Sequence, residues 1–115
     1  MKDKLKKWLS DKSGIRGLLG SGVYFPDQSV LSHSSAPEYS SKAMENAWRC
    51  LSEIFQAFKT QEIPSKHVKW IYENATLHGS MRSDGVCLGV FTRLNQEDYD
   101  SSSVARMIQE FQQLK

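Results

Sequence analysis

The sequence has no long apolar run and only two cysteines. None of its apolar stretches approaches the roughly 20 residues that a membrane-spanning helix needs. The lysine-rich start also lacks the apolar core of a signal peptide. Cys50 and Cys87 by themselves are too few for a disulfide framework or a zinc site. We therefore expect a protein of the reducing cytoplasm.

Motifs of nucleotide binding and of catalysis are missing as well. Gly17, Gly20 and Gly22 are spaced G-x-x-G-x-G, which is not the dinucleotide-binding fingerprint. No G-x-S-x-G elbow is present. The histidines lie on separate predicted strands without the spacing of a metal site: His33, His67 and His78. We expect no catalytic residue, no cofactor and no metal. The three glycines instead predict a bulge or a close backbone approach.

Outside the first segment, neither sign of charge is in large excess. The chain has 115 residues, 15 basic and 13 acidic, for a net charge of +2. Residues 1–16 hold 6 basic and 2 acidic side chains, so the remaining 9 basic and 11 acidic ones sum to −2. This distribution is not the footprint of a nucleic-acid-binding domain. The length fits one domain, which we expect to span residues 1–115.

Apolar periodicity and turn residues predict the element order α-β-β-α-β-β-β-α. The predicted helices cover 2–12, 38–61 and the segment from 101 onward, with a hairpin over 15–33 and strands over 67–73, 75–81 and 86–92. Pro26-Asp27-Gln28 is typical of a turn, and Ser83-Asp84-Gly85 is typical of a type I′ hairpin turn. The serines at 101–103 are expected to cap the last helix.

The helix predicted over 38–61 has an apolar arc of roughly 180°, wider than the usual stripe of about 100°. One side of the arc carries large residues: Met44, Trp48, Leu51, Phe55 and Phe58. The other side carries mostly small ones: Ala43, Ala47, Cys50, Ile54 and Ala57. We expect the large side to pack on the sheet, and the small side, together with Trp70, to form a dimer interface with a second copy. The alternative is that the terminal helices cover the small side within one chain.

The first predicted helix is amphipathic, with Leu5, Trp8 and Leu9 on one face and lysines around the others. We expect this stripe to pack on the sheet while the lysines face solvent. The alternative is a docking surface of Lys4, Lys7 and Trp8 for an acidic partner or an anionic lipid.

Three stretches resemble the roadblock/dynein-light-chain family. They are Gly14-Ile15-Arg16-Gly17 between the first helix and strand, the central helix with the strands of residues 68–92, and residues 83–90 with their turn and apolar strand. The resemblance covers nearly the whole chain, which departs from the family in its serine-rich loop at 32–41 and in the turn at 26–28. It implies an α/β (α+β) profilin-like sandwich in which helices flank a five-stranded antiparallel sheet.

The resemblance also implies a function. Family members commonly dimerise through the central helix and the neighbouring strand, and they act as non-catalytic adaptors. Some bind or regulate small Ras-like GTPases, and others join dynein or membrane-bound signalling complexes. We therefore predict a homodimeric adaptor, not an enzyme, whose partner is a small GTPase or another signalling protein. The alternatives are a profilin/PAS-type small-molecule sensor and a membrane-surface tether through the first helix.

Overall fold

The computed structural model describes residues 2–35, 40–61, 67–71 and 75–114, without the side chains at 41, 43 and 59. Its helices are α1 (Lys2–Asp11), α2 (Ser41–Thr60), a short 3-10 helix (Gln96–Asp98) and α3 (Ser101–Gln113). Its strands are β1 (Leu18–Tyr24), β2 (Val30–Ser34), β3 (His67–Ile71), β4 (Ala75–Met81) and β5 (Cys87–Arg93). The predicted element order is confirmed. The predicted starts and ends at 38 and at 72–73 lie outside the described residues.

The five strands form one antiparallel sheet in the order β2-β1-β5-β4-β3. This confirms the predicted sheet. The chain builds one half as the hairpin β1–β2 and the other as the meander β3–β4–β5, and the pairing of β1 with β5 joins the halves. β2 and β3 are therefore the two edge strands.

Helices cover the two faces of the sheet unequally. Along β5, Leu88 and Val90 belong to a buried cluster with Leu5 of α1 and Phe111 of α3. Cys87, of opposite parity, belongs to a separate cluster built around α2. Because neighbouring side chains of a strand point to opposite faces, α2 lies on one face and α1 and α3 lie on the other. The near-continuous apolarity of β5 is explained by burial on both sides.

The glycines of the sheet make room for α2. A Cβ atom on Gly22 or on Gly89 would collide with the ring of Trp48, and one on Gly20 would collide with Met44. The pairing of β1 with β5 also shifts register between Leu18 and Gly20. Both parts of the sequence prediction for these glycines, a bulge and a close approach, are thus confirmed.

Two hairpin turns lie side by side at one end of the sheet and share a pattern. The Gln28 N–H donates to the Phe25 carbonyl, and the Gly85 N–H donates to the Arg82 carbonyl. Only Gln28 and Gly85 of the two turns have positive φ, at 72° and 87°. The predicted type I′ turn at 83–85 is therefore wrong, because that type needs positive φ at two successive residues. The geometry is a three-residue loop that ends in a left-handed residue.

Asp100 caps α3, and the prediction that the serines at 101–103 do so is wrong. The Asp100 carboxylate accepts from the backbone N–H of Ser103 at 3.1 Å and from its hydroxyl at 2.7 Å. These bonds hold the pKa of Asp100 below its usual value. The serines are therefore the first helical turn, and the side chain of Asp100 satisfies one of the free N–H groups of that turn, that of Ser103.

Candidate interaction surface

The small side of α2 lies open at the surface of the chain. Cys50 and Ala57 are exposed, whereas Ala47 and Ile54 are half-buried. On the large side, Met44, Trp48, Leu51 and Phe55 are buried at 3% exposure or less, and Phe58 is half-buried. The side chain of Ala43, also predicted for this surface, lies outside the described residues. Four of the predicted interface residues thus share one accessible side of the helix.

The terminal helices do not cover this small side. α1 and α3 pack on the opposite face of the sheet, where Leu5, Leu9 and Phe111 share one buried cluster. On its own face of the sheet, α2 packs over β1, β2 and β5 and reaches β4. The alternative interpretation, in which the terminal helices bury the small side within one chain, is therefore wrong.

Trp70 lies on the edge strand β3 and faces the layer of α2. Trp70 and Val68 are half-buried and pack against the α2 cluster, together with Ala47. β3 pairs with β4 on one side, and no described strand pairs with its other side. A partly open apolar face and an unpaired edge therefore occur on the same strand. Val68 was not among the predicted interface residues, although its alternation with Trp70 indicates that both side chains share one face of the strand.

The apolar stripe of α1 faces the core. Leu5 and Leu9 are buried at 1% exposure, and the ring centroid of Trp8 lies 6.3 Å from that of Phe111. Lys4 and Lys7 are exposed. This packing is what the first interpretation of the helix expected. A docking role for Lys4, Lys7 and Trp8 stays a prediction.

Two buried titratable side chains, Cys87 and His78, are both held in their neutral forms. Burial raises the pKa of the Cys87 thiol to about 11. The pKa of His78 is lowered to about 4, first by burial and then by the positive charge of Lys69. The His78 Nε2 lies 3.0 Å from the Thr92 hydroxyl, so the neutral ring and the hydroxyl share a hydrogen bond.

Two further findings concern other kinds of site. Among the described residues, no three His, Cys, Asp or Glu side chains are placed to hold a metal ion. No helix in the described part of the chain is long and apolar enough to cross a membrane. What this surface offers chemically is apolar contact area and backbone hydrogen bonding at a strand edge.

The fold is similar to that of solved roadblock proteins. No protein-family model matches the sequence, and no curated protein matches it either. The Roadblock/LC7 domain from Streptomyces avermitilis superposes with a TM-score of 0.70 at 14% identity, over 94% of this chain and 91% of that one. MglC from Myxococcus xanthus superposes with a TM-score of 0.57 at 12% identity, over 95% and 93% of the two chains. The chain therefore has a roadblock-like fold.

Proposed function

We propose that this protein is a non-catalytic, cytoplasmic adaptor that forms a homodimer and binds a protein partner through the surface that the dimer builds. The partner class we propose is a small Ras-like GTPase. The fold similarity supports the architecture, and the resemblance in the sequence suggests the partner class. The dimer itself is argued from the exposed side of α2.

One observation carries the dimer. Ala47, Cys50, Ile54 and Ala57 form an apolar side of α2 that neither the sheet nor the terminal helices cover. Small side chains let two helix axes approach closely, and soluble monomers rarely leave such a patch bare. A two-fold axis along this side would pair each patch with its own copy, which is the usual arrangement of a symmetric dimer.

The β3 strand adds a second component to the same interface. No described strand pairs with its outer edge, and a strand edge of this kind favours pairing with another strand. Trp70 and Val68 lie beside that edge on the α2 face and keep part of their surface exposed. Pairing β3 with the β3 of a second copy would satisfy the edge and bury Trp70 together with the small side of α2.

Light scattering on wild type and on Ala47→Glu tests the dimer. We expect wild type at twice the chain mass of 13.1 kDa and the variant at the single mass. The glutamate would place an unpaired charge in an apolar contact, which is costly. Gln56→Glu is the matched control, because it adds the same charge to an exposed position on α2 outside the small side. We expect it to stay dimeric.

Two results would contradict the proposed dimer. One is a monomeric wild type at concentrations of about 100 μM, above the range of a useful dimer affinity. The other is a dimer that Ala47→Glu leaves intact at every concentration while its circular dichroism remains native. A monomeric Ala47→Glu that has lost its helical signal would call for Cys50→Glu, which changes an exposed position.

The partner class is tested separately, with purified Ras-like GTPases loaded with fluorescent GDP or a GTP analogue. We expect the dimer to raise the anisotropy of a GTPase in one nucleotide state more than in the other. The Ala47→Glu monomer should bind more weakly, because it lacks half of the surface. Equal, negligible binding in both states across the panel would remove the GTPase from the proposal and leave the dimer in place.

The packing of α1 does not favour a membrane tether. Its apolar stripe is used within the chain, since Leu5 and Leu9 are buried and Trp8 lies against Phe111. A helix that binds at a lipid interface buries its apolar face in the lipid instead. Our proposal therefore contains no membrane contact through this helix.

A further inference from the structure

A groove of about 600 Å³ lies between α3 and the strands β3 and β4, on the face opposite α2. Its floor includes Lys69 and His78, which are directly paired across the two strands. Its wall is the side of α3 that carries Ile108 and Gln109. The groove is distinct from the proposed dimer surface, which uses the α2 face and the edge of β3.

The side chains that β3 contributes to this face of the sheet are exposed to solvent. His67, Lys69 and Ile71 point to the α3 side of the sheet, and all three are exposed, with Ile71 at 73%. On β4 the same side is covered, since His78 is 9% exposed and packs edge-on against Tyr99. α3 therefore shields β4 and leaves β3 open alongside it.

Among the described residues, the charge of this groove is positive and has no acidic counterpart. None of the described residues that line it is an Asp or a Glu. Within the described part of the chain, Lys69 has no ion-pair partner, and the carboxylate of Glu110 on α3 pairs with Lys12 instead, at 2.7 Å. The Lys69 ammonium therefore lines the groove with no opposite charge beside it among the described residues, which favours an anionic occupant.

The wall supplies groups that match a peptide backbone. Gln112 is fixed in place, because its amide nitrogen donates to the Ser80 hydroxyl at 2.5 Å and to the Met81 carbonyl at 3.0 Å. Gln109 and Gln113 are exposed and make no side-chain hydrogen bond to the other described residues. A glutamine amide both donates and accepts, as a peptide group does.

We infer that this groove binds a short acidic peptide segment of another protein, with a carboxylate on Lys69 and backbone groups on Gln109 and Gln113. The wall from Ala105 to Gln113 is about 12 Å long at 1.5 Å per helical residue, which holds about four residues of an extended strand. This site goes beyond the proposed function and does not depend on the dimer.

The probe is a labelled nonapeptide of alternating glutamate and valine, with analogues that carry glutamine or lysine in place of glutamate. We expect binding of the acidic peptide alone, weakening as salt is raised, because an exposed charge pair is screened. Lys69→Glu should weaken it about five- to tenfold, since the change removes one attraction and adds a repulsion. Lys6→Glu makes the same change at an exposed position of α1, outside the surface of Lys4, Lys7 and Trp8, and should leave the affinity within twofold.

Amide chemical shifts locate the site. We expect the acidic peptide to move the signals of β3 and of the segment 105–113, with little change in α1 or α2. The Ala47→Glu variant should bind the peptide as wild type does, so a failure of the proposed dimer leaves this test unaffected.

Five outcomes would overturn the inference. The first is no binding of the acidic peptide up to millimolar concentration at low salt. The second is equal binding of the glutamine or lysine analogue. The third is a loss in Lys6→Glu as large as that in Lys69→Glu. The fourth is a set of chemical shift changes that maps to another part of the chain. The fifth is full competition by free glutamate or succinate at the same concentration, which would make the groove a small-molecule site.

Discussion

The indole ring of Trp48 occupies the space that a Cβ atom on Gly22 would fill. The ring is 1% exposed, and its Nε1 donates to the Ser32 hydroxyl at 3.1 Å, so its one polar group is satisfied inside the core. Gly89 on the adjacent strand lies in the same way against the six-membered end of the ring. Two glycines paired across β1 and β5 thereby set how closely α2 can approach the sheet.

Gly22→Ala should lower the free energy of unfolding by about 2–3 kcal/mol, the upper part of the range for overpacking in a core. The Trp48 ring cannot move away easily, because it also packs against Gly89 and its Nε1 is held by the hydrogen bond to Ser32. Gly14→Ala is the control, since its added methyl would meet no atom within 4 Å. Urea unfolding of both variants measures the difference, and equal losses would show that the close approach is unimportant.

The two hairpin turns should respond to opposite substitutions. Gln28 has a φ of 72°, so Gln28→Gly should raise the free energy of unfolding by up to about 1 kcal/mol by relieving left-handed strain. Gly85→Ala should lower it by about 1–2 kcal/mol, because the new side chain would be strained at a φ of 87° and would crowd Pro26. Thermal unfolding measures both. Changes of the same sign in the two variants would contradict the assignment of these turns.

Ser21 is buried at 0% exposure on β1, and its hydroxyl has no hydrogen-bond partner among the described residues. Ser21→Ala should therefore raise the free energy of unfolding by about 1 kcal/mol, since a buried group without a partner is removed. Ser13→Ala is the comparison, because that hydroxyl donates to the Ser10 carbonyl at 2.7 Å and its loss should be neutral or destabilising. A loss of stability in Ser21→Ala would show that this hydroxyl finds an acceptor in solution.

Stability should fall as pH drops below about 6.5, through His78. Its pKa is lowered from 6.5 to about 4 in the folded chain, so between these values the unfolded chain binds the extra proton. Its contribution is complete above pH 6.5 and is lost as the pH approaches 4. We expect a loss of about 1–2 kcal/mol between pH 7.5 and pH 5, reduced from the full shift because one edge of the ring lines the groove.

His78→Gln provides the control for this pH dependence. Glutamine keeps a donor for the Thr92 hydroxyl but does not titrate, so most of the loss between pH 7.5 and pH 5 should disappear in urea unfolding curves. An unchanged pH dependence in this variant would assign the effect to other groups.

Local patterns predicted the elements well because they report local physics. The apolar arc of α2 and the presence of a turn at 83–85 each follow from spacing or from backbone preference within a few residues. The errors were local too. Asp100 caps α3 in place of the following serines, since its carboxylate reaches the N–H of Ser103. The turn at 83–85 is not type I′, because Gly85 has positive φ and Asp84 does not.

Other features were beyond sequence reasoning because they depend on which face of the sheet each helix takes. The amphipathic stripes of α1 and α3 show that each helix must pack, but they do not say on which side. The tertiary structure places both helices opposite α2, which leaves the small side of α2 uncovered and Lys69 open beside α3.

By itself, the sequence determined the order of elements, the wide apolar arc of α2 and the two tight turns, because spacing and backbone preference act within each segment. Only the tertiary structure decided that Trp48 fits onto Gly22 and Gly89 and that β3 is an edge strand. It also decided that the groove has no acidic lining among the described residues. These features join residues far apart in the chain, and the close packing of a single core selects them.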